Sequence, residues 1–188
     1  MRKNSALAKW RAGEQTIGCW LSLANTHSAE MLASLEFDWI CIDLQHGLLD
    51  YSDLRHMLPA IATTDVTPIV RVSGNDPKQI MKVLDAGAYG VIVPLVNNRA
   101  EAQAAISACR YPPGGTRSFG PIRAARVAFL HHPAGLPPRR MGSAALIHRG
   151  SNTKQRALGR VLPRAQIICG RYALRYLSGA SQHLGPKW

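Results

Sequence analysis

FDWICIDLQHG, residues 37–47, decides how this chain is read. An apolar, β-branched run of strand length, WICIDL (39–44), stops at a polar turn holding Gln45, His46 and Gly47. Three more runs of the same kind flank it: TIGCWLSL (16–23), PIVRV (68–72) and GVIVPLV (90–96). Helical stretches separate them. One covers 27–36 behind Thr26 as N-cap, and a second covers 51–63 behind Asp50. A third is opened by Asp76 or Asn75 with Pro77 at its first position and ends near Gly87; a fourth, rich in Ala, covers 99–109. Four strand–helix repeats in a row, with strands apolar on both faces, predict a parallel sheet covered by helices. Periodicity alone leaves a barrel and a doubly wound sheet equally open.

Charge divides the chain differently. The first 120 residues carry 11 Lys/Arg against 11 Asp/Glu, whereas residues 121–188 carry the other 12 basic residues and no acid, so the whole formal charge of +12 lies in the tail. Glu101 is the last acidic residue, and the 87 residues after it would ordinarily hold on the order of ten. Periodicity fails in the same region. FLHHPAGLPPRRMGS has no sustained repeat, and RALGRVLPRAQIICGRYALRYLSGA yields one basic helix and one short strand only if Pro163 is ignored. The expected organisation is therefore a partial α/β unit over 1–120 and a basic, acid-free tail of undefined structure over 121–188. Four strands do not close an eight-stranded barrel, so the outer edge of the fourth needs a cover.

Several classes are excluded at this level. A hydrophobic content of 46% is enough to bury a core. The N-terminal residues lack the apolar core of a signal peptide, and no run approaches the roughly 18 apolar residues of a membrane span, so a cytoplasmic protein without membrane contact is expected. Cys19, Cys41, Cys109 and Cys169 form neither a CxxC pair nor a zinc-finger spacing and are expected as buried or incidental thiols. Tyr172, Tyr176 and Trp188 among arginines give the tail a non-specific affinity for nucleic acid, but no RNP, KH, zinc-finger or helix-turn-helix pattern accompanies them, and nucleic acid is not the expected partner.

Parallel α/β folds place their sites at the C-terminal ends of strands. There the second predicted strand offers Asp43, Gln45 and His46, and the third offers Arg71. An imidazole near a fixed guanidinium suits proton removal beside a carbonyl, because the cation stabilises the enolate as it forms. The bland alternative is a capped turn with a hydrogen-bonded His and an Arg in a structural ion pair.

FDWICIDLQHG, PIVRV, VLDAGAYGVIVPLV (83–96) and YPPGGTRSFGP (111–121), in this order and spacing, resemble the HpcH/HpaI aldolase and citrate lyase family. Within it the likeness is to the class II pyruvate-type aldolases, including the 4-hydroxy-2-oxoheptanedioate aldolases, and it spans residues 17–123. The resemblance implies the N-terminal half of a TIM (β/α)8 barrel, four βα units long. It also implies a carbon–carbon lyase that uses Mg or Mn, assembles as a homo-oligomer, and takes small 2-oxo acid and aldehyde substrates. His46 then becomes the general base, acting directly or through a metal-bound water, and Arg71 the contact to the keto oxygen of the substrate. Asp85 matches the carboxylate partner of the catalytic His. Topology puts it at the opposite end of its own barrel, so it would act across a subunit boundary or else only cap and pair locally. Asp43 is expected in a supporting role, and Gln45 stands where many members have Glu. The family's metal carboxylates, a Glu on a later strand and an Asp in a GPxDLS-like segment, have no counterpart after Glu101. Gln166, His148 and backbone carbonyls do not replace two anionic ligands. No metal-binding residue is therefore assigned, and metal-dependent activity is expected to be impaired, with the tail read as translation in an altered frame beginning between Pro121 and Arg126. An inactive oligomerisation module is the alternative.

Overall fold

The computed structural model describes residues 4–124 together with the strand segments Ala145–Ile147, Gln166–Ile167, Cys169–Gly170 and Tyr176–Leu177. Strands β1 (Gly18–Leu21), β2 (Trp39–Asp43), β3 (Thr67–Arg71) and β4 (Gly90–Val93) pair in parallel in sequence order. This is the order of the first four strands of a (β/α)8 barrel. Each is joined to the next by a helix: α2 (Thr26–Ala33), α3 (Tyr51–Ile61) and α4 (Pro77–Asp85), with α5 (Arg99–Cys109) after β4. The parallel sheet covered by helices that the repeats predict is present, in the strand order of the barrel half that the resemblance implies.

The helices start where local chemistry satisfies their first N–H groups. Asp50 caps α3 in a reciprocal box with Asp53, Asp76 caps α4 with Pro77 in the first turn, and Asn98 caps α5. For α2 the cap is Asn25 rather than Thr26: the Asn25 side chain accepts from the Ser28 N–H, and Thr26 is already helical. That helix also ends at Ala33, short of residue 36. A further helix, α1 (Ser5–Ala12), lay outside the sequence expectation; Asn4 caps it and Gly13, at φ +80°, ends it.

Strand parity sorts side chains onto two faces. Leu21, Ile40, Ile42, Val70, Val72, Val91 and Val93 join the main core with the buried faces of α2, α3, α4 and α5. Cys41, Ile69 and Ile92 form a smaller cluster on the other face, against Trp10 of α1 and Trp39. Helix α1 thus covers the N-terminal end of the inner face, where Thr67 Oγ1 accepts from the Ala6 N–H at 3.3 Å. Gly18 is required there: a Cβ would lie 2.0 Å from the Trp39 indole.

Within the tail, expected to be of undefined structure, four short strand segments are described. Ala145–Ile147 forms β5, parallel to β4 with Val91 opposite Ala145, and Cys169–Gly170 forms β7, which meets β4 at Gly90 in antiparallel fashion. Gln166–Ile167 (β6) and Tyr176–Leu177 (β8) make a separate antiparallel pair. The edge of β4 thereby gains the cover it lacked. Three-residue and two-residue strands carry too little periodicity to be recognised in sequence, and the rest of the tail lies outside the described residues.

Ahead of it, the 111–121 segment folds back on the helices. Thr116 N–H donates to Ser107 O at 2.9 Å, Arg117 N–H to Arg110 O at 2.9 Å, and the Arg123 side chain to Ala86 O at 3.1 Å. Gly87, at φ +106°, lets the Arg123 guanidinium approach to 2.4 Å of where a Cβ would stand.

Candidate active site

Register creates the site. Asp43 and Arg71 are the last residues of β2 and β3 and lie directly opposite one another. Both point to the inner face. Arg71 Nε donates to Asp43 Oδ1 at 2.8 Å and Nη2 to Oδ2 at 2.5 Å, a two-point pairing of the planar fork with a carboxylate. The same carboxylate accepts from Trp20 Nε1 at 3.0 Å, from the Gln45 N–H at 3.0 Å and from the His46 N–H at 3.3 Å. Burial, the largest single influence, pushes the Asp43 carboxyl up, but the hydrogen bonds from Arg71, Trp20, Gln45 and His46 together outweigh it and hold the group well below the usual carboxylate range. Asp43 therefore stays ionised, and it fixes both the cation on one side and the turn that carries His46 on the other.

The sequence-nominated residues fall in two places. His46, exposed on the turn after β2, and Gln45, half-buried, share this edge of the sheet with Asp43 and Arg71. Asp85 does not: it closes α4, ahead of β4, at the opposite edge, and there it pairs with Arg117. The Arg117 guanidinium also lies 4.6 Å over the Tyr111 ring, which leans on Phe119 at 5.1 Å. Within one chain Asp85 is thus a local anchor for the 111–121 segment.

Cys41 lies below Asp43 on the inner face, and burial together with the adjacent carboxylate pushes its thiol up, so it stays protonated and is no nucleophile. Cys19, Cys41 and Cys109 are free thiols, of which Cys41 and Cys109 are buried as expected and Cys19 half-buried. Cys169 lies in β7, outside the described side chains.

The chain's donor set does not suit the divalent cation that the sequence resemblance implied. Among the described residues no three His, Cys, Asp or Glu side chains converge. Asp43 has spent its oxygens on five donors, and no acid follows Glu101 to supply another hard ligand.

Two contributors escaped sequence reasoning. Arg117 had no assigned partner, although a basic residue inside a glycine- and proline-rich return loop is a fair signal for a helix-end contact. Trp20 had none either; it shares strand parity with Gly18, on the face opposite Leu21, which was the available clue.

Comparison with known proteins gives a consistent result. The family model described as HpcH/HpaI aldolase/citrate lyase matches residues 16–158, past the composition break near 120. A hydroxypyruvate/pyruvate aldolase of Rhizorhabdus wittichii is 48% identical over 120 residues, covering 64% of this chain and 48% of its own. A 4-hydroxy-2-oxo-heptane-1,7-dioate aldolase of Salmonella dublin is 45% identical over 118 residues, covering 63% and 45%. The chain therefore spans about half the length of these relatives. Among solved structures, an HpcH/HpaI aldolase/citrate lyase family protein from Burkholderia cenocepacia superposes with a TM-score of 0.64 at 34% identity, over 69% of this chain and 53% of that one.

Proposed function

We propose, for a chain that belongs to the HpcH/HpaI aldolase/citrate lyase family, that its β1–α5 region carries the enolate-handling side of a cytoplasmic carbon–carbon lyase. The reaction is cleavage of a 4-hydroxy-2-oxo acid to pyruvate and an aldehyde. The observation that supports it is the Asp43–Arg71 pair: two of the three guanidinium nitrogens are committed to Asp43, so the third, Nη1, is the one left to meet a substrate oxygen at the catalytic edge of the sheet.

In this mechanism His46 takes the proton of the C4 hydroxyl, the C3–C4 bond breaks, and the aldehyde departs. The electron pair moves into a pyruvate enolate whose oxygen faces Arg71, and a proton delivered to C3 yields pyruvate. Asp85 serves as carboxylate partner of a histidine only across a subunit boundary in a homo-oligomer. Mg or Mn belongs to the family's reaction, and the carboxylates that would hold it are not supplied by this chain.

The expected outcome is that purified protein releases no pyruvate from 4-hydroxy-2-oxo acids on addition of Mg or Mn. Turnover that rises with Mn and vanishes in His46→Ala would overturn the impairment while upholding the assignment of His46. Pyruvate is still expected to shift the Arg71 Nε–H resonance in a 15N-labelled sample. No response there would count against the site itself.

A second reading is a non-catalytic module that assembles with aldolases of the same family. Co-purification with such a relative tests it. The altered-frame origin of residues 121–188 is tested by resequencing the locus, and an uninterrupted frame across independent isolates would refute it.

A further inference from the structure

The geometry points to Trp20 as a positioning residue for Arg71, an inference that rests on the reading of Arg71 as the substrate-facing cation. Trp20 is partly exposed on the inner face of β1. An indole there would ordinarily be explained by packing alone, but this one is used on three sides. Its N–H donates to Asp43 Oδ2 at 3.0 Å, the same oxygen that Arg71 Nη2 engages. Its ring face lies under the guanidinium, with Arg71 Cζ 4.9 Å from the centroid. It also meets Trp39 edge-on, at 6.3 Å between centroids and an interplanar angle of 82°.

These contacts do different work. The carboxylate sets the two donor nitrogens of Arg71 in line but allows the side chain to swing about the shared axis. A π face beneath the cation opposes that swing, because the ring quadrupole attracts a guanidinium held over it. The ring is itself braced from the far end of the sheet. Trp39 is held through Nε1 by Thr16 Oγ1 at 3.2 Å, and Thr16 also accepts from Trp10 Nε1 of α1 at 2.7 Å. Gly18 leaves the space for the Trp39 ring. A continuous support thus runs from α1 through Trp39 and Trp20 to Arg71, fixing the direction in which Nη1 points.

The test uses the whole 15N-labelled chain and the solvent exchange of arginine Nε–H groups. Trp20→Leu removes both the donor and the ring and is expected to speed exchange at Arg71 by about tenfold. Trp20→Phe keeps a ring face and is expected to speed it by less. Arg117, at the other edge, is expected to be unchanged in both variants. The pyruvate-induced shift of the Arg71 signal weakens in the same order. Unchanged exchange at Arg71 in a folded Trp20→Leu protein overturns the inference, as does equal acceleration at Arg71 and Arg117, which would mean general loosening. Should Trp20→Leu fail to fold, Trp20→Phe decides by the same ratio of Arg71 to Arg117. A wild-type chain that ignores pyruvate overturns the proposed function, while the exchange ratios still decide the role of Trp20.

Discussion

Among the described residues, the Asp43–Arg71 and Asp85–Arg117 pairs lie toward opposite ends of the strands β1–β4, and they are not equivalent. Asp43–Arg71 sits where β2 and β3 end; Asp85–Arg117 sits where α4 ends. The side chain of Asp43 is 3% exposed and that of Arg71 18%, whereas Arg117 is 3% and Asp85 20%. In the first pair the buried member is the anion and the cation keeps access to solvent. In the second the cation, itself part of the return loop, is buried against the Tyr111 ring. The same two residue types therefore make a site at one edge and a clasp at the other, because what matters is which charge is left able to meet a ligand.

The comparison can be broken most directly by Asp43→Ala. That change strands the Arg71 guanidinium and removes the acceptor that orders the Gln45–His46 turn, so a loss of about 3 kcal/mol in unfolding free energy is expected, together with loss of the pyruvate response at Arg71. Urea unfolding and the 15N titration measure the two. Arg117→Ala is the counterpart. Asp85 can rehydrate once its partner is gone, so about 2 kcal/mol is expected, with the Arg71 response to pyruvate intact. If both variants abolish that response, the edges are coupled and the distinction fails.

Acid sharpens the contrast. The Asp43 carboxyl is held below its unfolded value of about 3.9, so its contribution to stability is fully present above that pH and is lost as pH falls toward the depressed folded value. Asp43→Asn should therefore flatten the stability profile below about pH 4 relative to wild type. An unchanged slope in acid would show that the pairing does not depress the group in solution. The smallest effect is a control away from both pairs: Asp50→Ala removes the cap and box of α3 and should cost about 1 kcal/mol, with no change at Arg71.

Much of this was legible in the chain. The β2, β3 and β4 runs, the Asp50 cap and the Asp76–Pro77 start all act through neighbours in sequence, and periodicity and capping chemistry are local. Asn25 and Thr26 are both competent caps in sequence, and only backbone geometry distinguishes them. Helix α1 leaves little signal in sequence because SALAKWRA buries only Ala6 and Leu7, too little apolar surface to mark a helix; it is held by Thr67 and the inner-face cluster instead. Arg71 and His46 could be nominated from their motifs. Their common tether could not, because it depends on Asp43 falling opposite Arg71 across two strands.

What the sequence by itself determined is the succession of strands and helices from β1 to α5, the family resemblance, and the exhaustion of acidic residues after Glu101, since each is a property of neighbouring residues or of composition. What only the tertiary structure decided is which arginine each aspartate meets, that Trp20 lies under Arg71, and that β5 covers the edge of β4. Those facts depend on register between segments distant in sequence, and register is set by packing of the whole sheet rather than by any stretch within it.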